Sequence, residues 1–317
     1  MIIYFIILLI IVLLIYVNKS DKGNVKLKDI SIVLSIVVLI FFAGFRSKYV
    51  GTDTYNYILM FEELRYDRQL LIKSNSSIEK GYLILQNIAY HISTNYWSLL
   101  TLIAAVCVLC NFYVIKKLSK NFQISEFIYV TLAFFVVFFN AARQGLAVSI
   151  AALSLIYVIK KDFIRFVVCL FIASLFHRTA LIFFPFYFIL RTTFTFKKAF
   201  LFSIVGFIVF ALFSRIISLF DSEIEQRYSA YEDRGAMGGG LLAVFFIFIT
   251  FFFIKIRSKI SKDNLKEYDI YLNLCLFTSI IYLVVIATGS DVNFIRITNY
   301  FGIGYILIWP IIFKDIS

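Results

Sequence analysis

Proline, histidine and charged residues are scarce in this chain. It has two prolines and two histidines among 317 residues, and Asp, Glu, Lys and Arg together make up only 16%. Hydrophobic residues make up 62%, with 38 Phe and 20 Tyr, which is far from the composition of soluble globular domains. The composition therefore excludes a soluble globular enzyme and predicts an all-α, polytopic integral membrane protein.

Disulfide frameworks, metal cages and nucleotide sites also have no support in the sequence. The four cysteines all lie in apolar runs, and Cys107 and Cys110 form a CxxC pair without a partner histidine or a second pair. We interpret the cysteines as packing residues. No polar segment contains GxxxxGK, GxGxxG, HExxH or an EF-hand pattern, so we predict no metal site and no cofactor.

Basic residues are numerous but dispersed. The formal net charge is +12, yet Lys and Arg are spread over short connections between apolar runs, which argues against nucleic acid as a partner. The pattern is typical of membrane topology. If the connections that hold 19 of the 31 Lys and Arg are cytoplasmic, the N-terminus lies outside. These connections are residues 19–29, 116–125, 160–165, 191–198, 255–269 and 314–317.

The apolar stretches predict about eleven transmembrane helices, several of them short compared with the roughly 20 residues that cross a bilayer. The first lacks a basic n-region and a small-residue cleavage site, so we predict a retained span and not a signal peptide. The eleven stretches are residues 1–17, 30–45, 97–115, 126–140, 144–159, 163–177, 179–190, 199–219, 241–256, 270–288 and 299–313.

Residues 163–190 have an alternative interpretation as one long helix. That helix would place His177 and Arg178 near the middle of the bilayer. It would also export the segment "KIRSKISKDNLK" (255–266) to the outer side, against the positive-inside rule. We therefore predict two short helices that form a hairpin.

Lys and Arg divide unequally between the two predicted faces. The cytoplasmic connections have 16 Lys and 3 Arg, and the outer side has 3 Lys and 9 Arg. Topology disfavours cations outside, and the planar guanidinium binds carboxylate or phosphate at two points. Codon bias toward Lys with ordinary ion pairs is the alternative, but it does not explain why the preference inverts. We predict anion binding on the outer face.

We predict one transmembrane domain, residues 1–317, with most of its polar chemistry outside. The two large extracytoplasmic segments are 46–96 and 220–240. Within the first, residues 78–92 have apolar positions at helical spacing and a polar face, which predicts a helix at the membrane interface.

The stretch "FRSKYVGTDTYNY" (45–57) follows the second apolar run directly. Gly51 allows a tight turn, and Asp53 with Thr54 predicts the start of a helix. Asp53 has two interpretations that the sequence leaves open. It caps this helix, or it orients an arginine such as Arg46 and accepts a proton from a hydroxyl.

Arg143, in "FNAARQGLAVSI", lies at the predicted outer start of a helix. The helix dipole disfavours an isolated cation there, whereas a phosphate would bind both the guanidinium and the free N–H groups of the first turn. The alternative is an interfacial arginine that reaches lipid phosphates.

His177 and Arg178, in "SLFHRTALIFFP", lie at the predicted tight outer turn between two short helices. Titratable residues at membrane depth are functional candidates by default. Two further segments carry a similar mixture of residues, "EQRYSAYEDRGAMGGG" (225–240) and "GSDVNFIRITNY" (289–300). The glycine run of the first is equally well explained as a flexible solvated loop.

Six short segments in order resemble the EpsG-like family of bacterial polysaccharide polymerases, the Wzy-type enzymes. They are "FRSKYVGTDTYNY", "EKGYLIL", "ARQGLAVSI", "LFHRTALI", "QRYSAY" and "FIRITNYF", and the resemblance spans about residues 40–303. The motif positions map onto Arg46, Gly51, Asp53, Tyr57, Glu79, Gly81, Tyr82, Arg143, Gln144, His177, Arg227, Tyr228 and Arg296.

The resemblance implies a GT-C-like helical bundle with outward-facing loops in the bacterial inner or plasma membrane. Such an enzyme joins undecaprenyl-diphosphate-linked repeat units, which serve as donor and acceptor, into an O-antigen, capsule or exopolysaccharide. Its active site faces the extracytoplasmic side. A flippase and a chain-length regulator are further implied partners.

In that reaction the protein stabilises the departing diphosphate, positions two glycans and removes one proton. For diphosphate binding we predict Arg143, Arg178 and Arg296, with Arg46 and Arg227 as second choices. For the catalytic base we predict His177 or Asp53, each a titratable group in an arginine-rich setting. The predicted substrate-binding residues are Tyr55, Tyr57, Glu79, Tyr82, Gln144, Tyr228, Tyr231 and Asp291.

Two other functions compete with polymerisation. A transporter or flippase of a lipid-linked or anionic solute would more often show internal repeats and polar residues at the midplane, and here the polar residues cluster on one predicted face. A ligase of the O-antigen type would use the same donor but transfer glycan to another acceptor.

Overall fold

A computed structural model describes residues 2–20, 25–64, 78–211, 240–288 and 292–316 of the chain. Within these ranges the secondary structure consists of α-helices and short 3-10 helices, with no β-strand. The predicted all-helical class is therefore confirmed for the described residues. The chain divides into two compact units, Met1–Tyr187 and Phe188–Ser317.

The first unit is built around two long apolar helices that pack on each other, α5 and α8. α5 also packs against α2 and α8 against α9. Inside the bundle, Asn111 of α5 donates a 2.9 Å hydrogen bond to the Ser149 hydroxyl of α8. The helices are α1 (Ile2–Ser20), α2 (Val25–Gly44), α3 (Thr54–Glu63), α4 (Lys80–Ile92), α5 (Tyr96–Leu118), α6 (Phe122–Thr131), α7 (Val137–Asn140), α8 (Ala142–Lys160) and α9 (Phe163–Ser174).

Side-chain caps fix the starts of three of these helices. The Asn95 side chain accepts from Trp97 N at the start of α5, and Asn121 accepts from Ile124 N at the start of α6. Asp162 accepts from Arg165 N at the start of α9. Such caps satisfy N–H groups that have no partner within the helix.

A 3-10 helix, Arg178–Phe183, and the short α10 (Phe186–Ile189) follow α9, and α10 crosses the boundary between the two units. Helical structure is thus interrupted between Ser174 and Arg178. This break lies where the sequence predicted a turn between two short helices, and one continuous helix over residues 163–190 is not observed.

The second unit is organised around its longest helix, α13, which packs against α11, α12 and α14. The helices are α11 (Phe196–Ala211), α12 (Gly240–Ile256), α13 (Lys262–Thr288) and α14 (Ile303–Ile316), with a 3-10 helix at Val292–Tyr300. Buried hydroxyls join these helices, since Ser279 donates to Thr250 Oγ1 at 2.9 Å, and Tyr305 Oη lies 2.7 Å from the same oxygen. A two-point ion pair, Arg257 to Asp269 at 2.6 and 2.8 Å, fixes the end of α12 against α13.

Four helical segments in the described ranges are long and apolar enough to cross a membrane: Tyr96–Leu118, Ala142–Lys160, Gly240–Lys259 and Lys262–Ala287. A fifth candidate is the pair Phe122–Thr131 and Phe134–Asn140, which is bent by 61°. Four further apolar helices have only 10–17 residues. These helices are compatible with a multi-pass membrane protein, but the predicted count of about eleven spans is not confirmed. At 1.5 Å per residue, a helix of about 12 residues covers only about 18 Å.

Candidate functional site

One carboxylate, that of Glu79, joins three segments that are far apart in the sequence. Arg143 Nη1 donates to Glu79 Oε2 at 2.8 Å, and His177 Nδ1 lies 2.9 Å from Oε1. The backbone N–H of Arg178 also donates to Oε1, at 3.3 Å. The structure therefore brings together Glu79, Arg143 and His177, which we call the Glu79 cluster.

The start of α4 positions Glu79. The residue is extended (φ −66°, ψ 137°) and directly precedes the helix. Two residues on, Gly81 N donates to the carbonyl oxygen of Leu175 at 2.8 Å. This contact places the first turn of α4 against the end of α9, and His177 follows immediately.

Gly81 is required for that close approach. A Cβ atom at this position would lie 2.6 Å from the Leu175 carbonyl oxygen, a backbone atom that cannot rotate away. We expect Gly81→Ala to destabilise the protein by about 1–3 kcal/mol through overpacking and to displace Glu79. The melting temperature in detergent measures the first effect.

Gly240→Ala is the matched control, because a Cβ there would meet no atom of the described residues within 4 Å. Alanine is also the better helix former, so this variant should melt at the wild-type temperature or above it. Equal melting temperatures for Gly81→Ala and the wild type would contradict the packing argument.

Arg143 is the second residue of α8. Its side chain is 27% exposed and that of His177 29%, whereas Glu79 is only 7% exposed. The carboxylate is thus enclosed while both of its partners reach the surface. Tyr57 of α3 also interacts electrostatically with Arg143, and the Tyr57 ring lies 5.6 Å from the buried ring of Tyr82.

The charge state of Glu79 follows from its partners. Burial alone would raise the pKa of its carboxyl group, but the hydrogen bond from His177 and the positive charge of Arg143 together hold that pKa below its ordinary value. The carboxylate is therefore ionised at neutral pH. An ionised carboxylate only accepts hydrogen bonds, so the Nδ1 atom of His177 carries the hydrogen.

This arrangement leaves two groups available to a ligand. With Nδ1 donating to Glu79, the lone pair of His177 Nε2 can accept a proton. Glu79 takes one of the five N–H donors of the Arg143 guanidinium, and the first N–H groups of α8 have no partner within the helix. A proton acceptor thus stands beside donors suited to phosphate oxygens.

The segment 45–54 packs on the residues that lead into α8. The Arg46 side chain is buried, 7% exposed, with its guanidinium 4.3 Å from the centre of the Phe139 ring. Gly51 has a positive φ of +99°, which a residue with a side chain rarely adopts. Asp53 precedes α3, as predicted, but its side chain makes no capping hydrogen bond to that helix.

Other predicted residues lie around this part of the first unit. Gln144, which follows Arg143 in the sequence, is buried. Tyr55 is 42% exposed and its ring stacks on that of Tyr49, 6.2 Å between centres. The side chain of Arg178 is exposed.

The remaining predicted residues belong to the second unit or lie outside the described residues. Arg296 belongs to the second unit, in the 3-10 helix Val292–Tyr300. Four lie outside the described residues: Arg227, Tyr228, Tyr231 and Asp291.

Sequence reasoning assigned Glu79 to substrate binding and did not foresee its contacts with Arg143 and His177. The available signal was the glutamate directly before "KGYLIL", at the start of a predicted amphipathic helix. A local pattern of this kind indicates a helix start but not which distant cations meet it.

The model of the EpsG family matches residues 29–317, a range that includes the whole Glu79 cluster. No curated protein and no solved structure matches the chain.

Proposed function

The chain belongs to the EpsG family, whose members are Wzy-type polysaccharide polymerases, and from this premise we propose that it is a membrane glycosyltransferase. In this proposal it polymerises undecaprenyl-diphosphate-linked oligosaccharide repeat units into a surface polysaccharide. The observation that carries the proposal is the Glu79 cluster, which holds a proton acceptor and a guanidinium side by side.

The reaction needs both groups. A hydroxyl oxygen of one lipid-linked unit bonds to the anomeric carbon of another, the bond from that carbon to the diphosphate breaks, and undecaprenyl diphosphate departs. His177 Nε2 accepts the proton of the attacking hydroxyl and later releases it to water. Arg143 and the first N–H groups of α8 stabilise the charge on the departing diphosphate.

Glu79 keeps the two groups in the correct state. Its hydrogen bond with Nδ1 fixes the histidine tautomer that leaves Nε2 free, and its negative charge stabilises the imidazolium that forms. Its bond to Arg143 Nη1 directs one arm of the guanidinium inward, which leaves the remaining donors for phosphate. Tyr57, which interacts electrostatically with Arg143, is a sugar-contacting residue in this proposal.

The position of the cluster suits a substrate with a lipid anchor. Glu79 and Arg143 lie at the first residues of α4 and α8, and α8 is apolar and long enough to span the bilayer. The exposed stripe Ile84, Ile88 and Ile92 of α4 is suited to contact lipid at the interface. The positive-inside rule assigns this end of α8 to the extracytoplasmic face.

Reconstitution tests the proposed function directly. Purified protein in liposomes that contain undecaprenyl-diphosphate-linked repeat units should produce a ladder of glycan lengths, without nucleotide or an ion gradient. Gel separation of the labelled glycan measures the ladder, and liposomes with the Glu79→Gln protein are the control for background.

Two other products would overturn the proposal. Movement of the lipid-linked unit across the bilayer without lengthening would identify a flippase. A single transfer to a different acceptor, without a ladder, would identify a ligase.

A further inference from the structure

Arg46 is a buried cation, and among the described residues no carboxylate contacts it. Its Nη1 donates to the Ala43 carbonyl at 2.6 Å and its Nη2 to the Thr54 hydroxyl at 3.3 Å. The Phe139 ring covers the guanidinium, and Nε has no hydrogen-bond partner among the described residues. Enclosing an ionised guanidinium is unfavourable unless its surroundings compensate for the lost hydration. Simple packing could be achieved by a neutral side chain.

The contacts of Arg46 connect two helix starts. Thr54, which receives one of its hydrogen bonds, is the first residue of α3 and donates to the Phe139 carbonyl at 2.9 Å. A second hydrogen bond joins the same two segments, since Thr52 N donates to Asn140 Oδ1 at 3.1 Å. Gly51 packs so closely that a Cβ would collide with the Phe139 carbonyl oxygen. We call these contacts the Arg46 clamp.

Both ends of the clamp lead to the Glu79 cluster. Phe139 and Asn140 end α7, one residue before α8 begins, and Arg143 follows three residues after Asn140. On the other side, Tyr57 lies one helical turn after Thr54 and interacts electrostatically with Arg143. A shift of the clamp would therefore move Arg143 and its partner Tyr57 relative to each other.

We propose that Arg46 is a positioning residue, which holds the starts of α3 and α8 together and thereby aims the Arg143 guanidinium. This inference rests on the proposed function, because Arg143 is the group that acts on the diphosphate. Three features of arginine fit the role: a fork that reaches two acceptors, a flat face for Phe139, and a charge that is kept at neutral pH. Lysine supplies only the charge.

Kinetics of variants test this role. Displacement of a reacting group by about 1 Å can cost about 10²-fold in rate, so we expect Arg46→Lys and Arg46→Met to lower kcat by about that factor. The KM for the lipid-linked unit should change far less. Thr54→Val should have the same effect, whereas Thr54→Ser keeps the hydroxyl and should restore the rate. Arg165→Lys, an exposed arginine of α9, is the control.

The Thr54 variants separate positioning from direct binding of diphosphate. If Arg46 bound the diphosphate itself, Thr54→Val would leave kcat intact, and that result would overturn the proposal. A double variant adds a second criterion. Arg46 is proposed to act through Arg143. Replacement of Arg46 should therefore lower kcat only slightly further in a protein that already carries Arg143→Lys, which is a non-additive effect.

A crosslinking measurement is independent of activity. Cysteines at Thr52 and Asn140, joined by a short bifunctional thiol reagent, should give a linked peptide detectable by mass spectrometry. The yield should fall when Arg46→Met is added. A cysteine pair at Tyr49, which is 78% exposed, and Asn140 controls for random encounters.

The two readouts keep the proposals distinguishable. Wild-type kcat in Arg46→Lys, or crosslinking that Arg46→Met leaves unchanged, would overturn the positioning role. A wild-type protein without polymerising activity would overturn the proposed function instead, and the crosslinking yield would still decide whether Arg46 holds the two helix starts together.

Discussion

Glu79→Gln should lose most of the polymerising activity, with kcat lower by about 10²-fold or more. The glutamine amide has nearly the shape of the carboxylate, but one of its two terminal atoms is a nitrogen that donates hydrogen bonds instead of an oxygen that accepts them. If that nitrogen faces Arg143, two donors face each other and the hydrogen bond between the side chains is lost. If it faces His177, Nδ1 must accept, the hydrogen moves to Nε2, and the base is lost. Rates of glycan lengthening in liposomes, at equal protein amounts, measure the effect.

Glu63→Gln is the matched control, since Glu63 is an exposed glutamate of α3 in the same unit. It should polymerise at the wild-type rate. A Glu79→Gln protein that retains more than about a third of the wild-type rate would show that neither the tautomer of His177 nor its charge partner limits the reaction, because general-base catalysis normally contributes at least 10²-fold.

The same residue predicts how stability changes with pH. The pKa of the Glu79 carboxyl group is lowered from its ordinary value of 4.5, since the His177 hydrogen bond and the Arg143 charge outweigh burial. A lowered folded-state pKa stabilises the protein above the unfolded-state pKa, and the contribution is lost as the pH falls through the folded value. The melting temperature of wild type should exceed that of Glu79→Gln at pH 7, and the difference should shrink below about pH 4.5. A constant difference would contradict this linkage.

Arg143→Lys should also lower kcat by about 10²-fold, a typical cost for the loss of one group that stabilises transition-state charge. Lysine keeps the positive charge and can still pair with Glu79. Its single ammonium cannot, however, span the carboxylate and two phosphate oxygens with the planar fork that arginine provides. The measurement is the rate of lengthening at saturating lipid-linked unit, with membrane levels equalised.

Arg165→Lys again serves as the control, because it changes an arginine of the same unit whose side chain is 68% exposed. Near-wild-type polymerisation by Arg143→Lys would assign Arg143 a structural role only. Combination with Glu79→Gln gives a further check. Since both residues act on the same site, the double variant should lose less than the product of the two single losses.

Local sequence patterns predicted several features that the structure contains. The cap and turn residues around Asp53 predicted the helix that begins at Thr54, and the helical spacing of residues 78–92 predicted α4. The interruption after Ser174 was predicted from the depth that a single helix would give His177 and Arg178 and from the positive-inside rule. The two helix starts depend on residues within about one or two helical turns, and the sequence displays such residues directly.

The number of membrane-spanning helices was harder to predict from the sequence. Hydropathy treats each apolar run as one straight crossing, but residues 126–140 contain a 61° bend, and several runs form helices of 10–17 residues. Ala133, with a φ of +60°, lies at that bend. Nothing in the composition of an apolar run encodes where a helix turns, because packing against neighbouring helices sets the bend.

The sequence by itself determined the all-helical class of the described residues and apolar helices compatible with a multi-pass membrane protein, and it indicated the polar segments that we propose to carry its chemistry. It also singled out Arg143 and His177. Only the tertiary structure placed Glu79 between them, across separations of 64 and 98 residues, and turned Arg46 inward onto Thr54 and Phe139. The reason is physical: helix formation follows from local spacing and polarity, whereas the pairing of charges depends on which helix ends the packing of the bundle brings within 3 Å of each other.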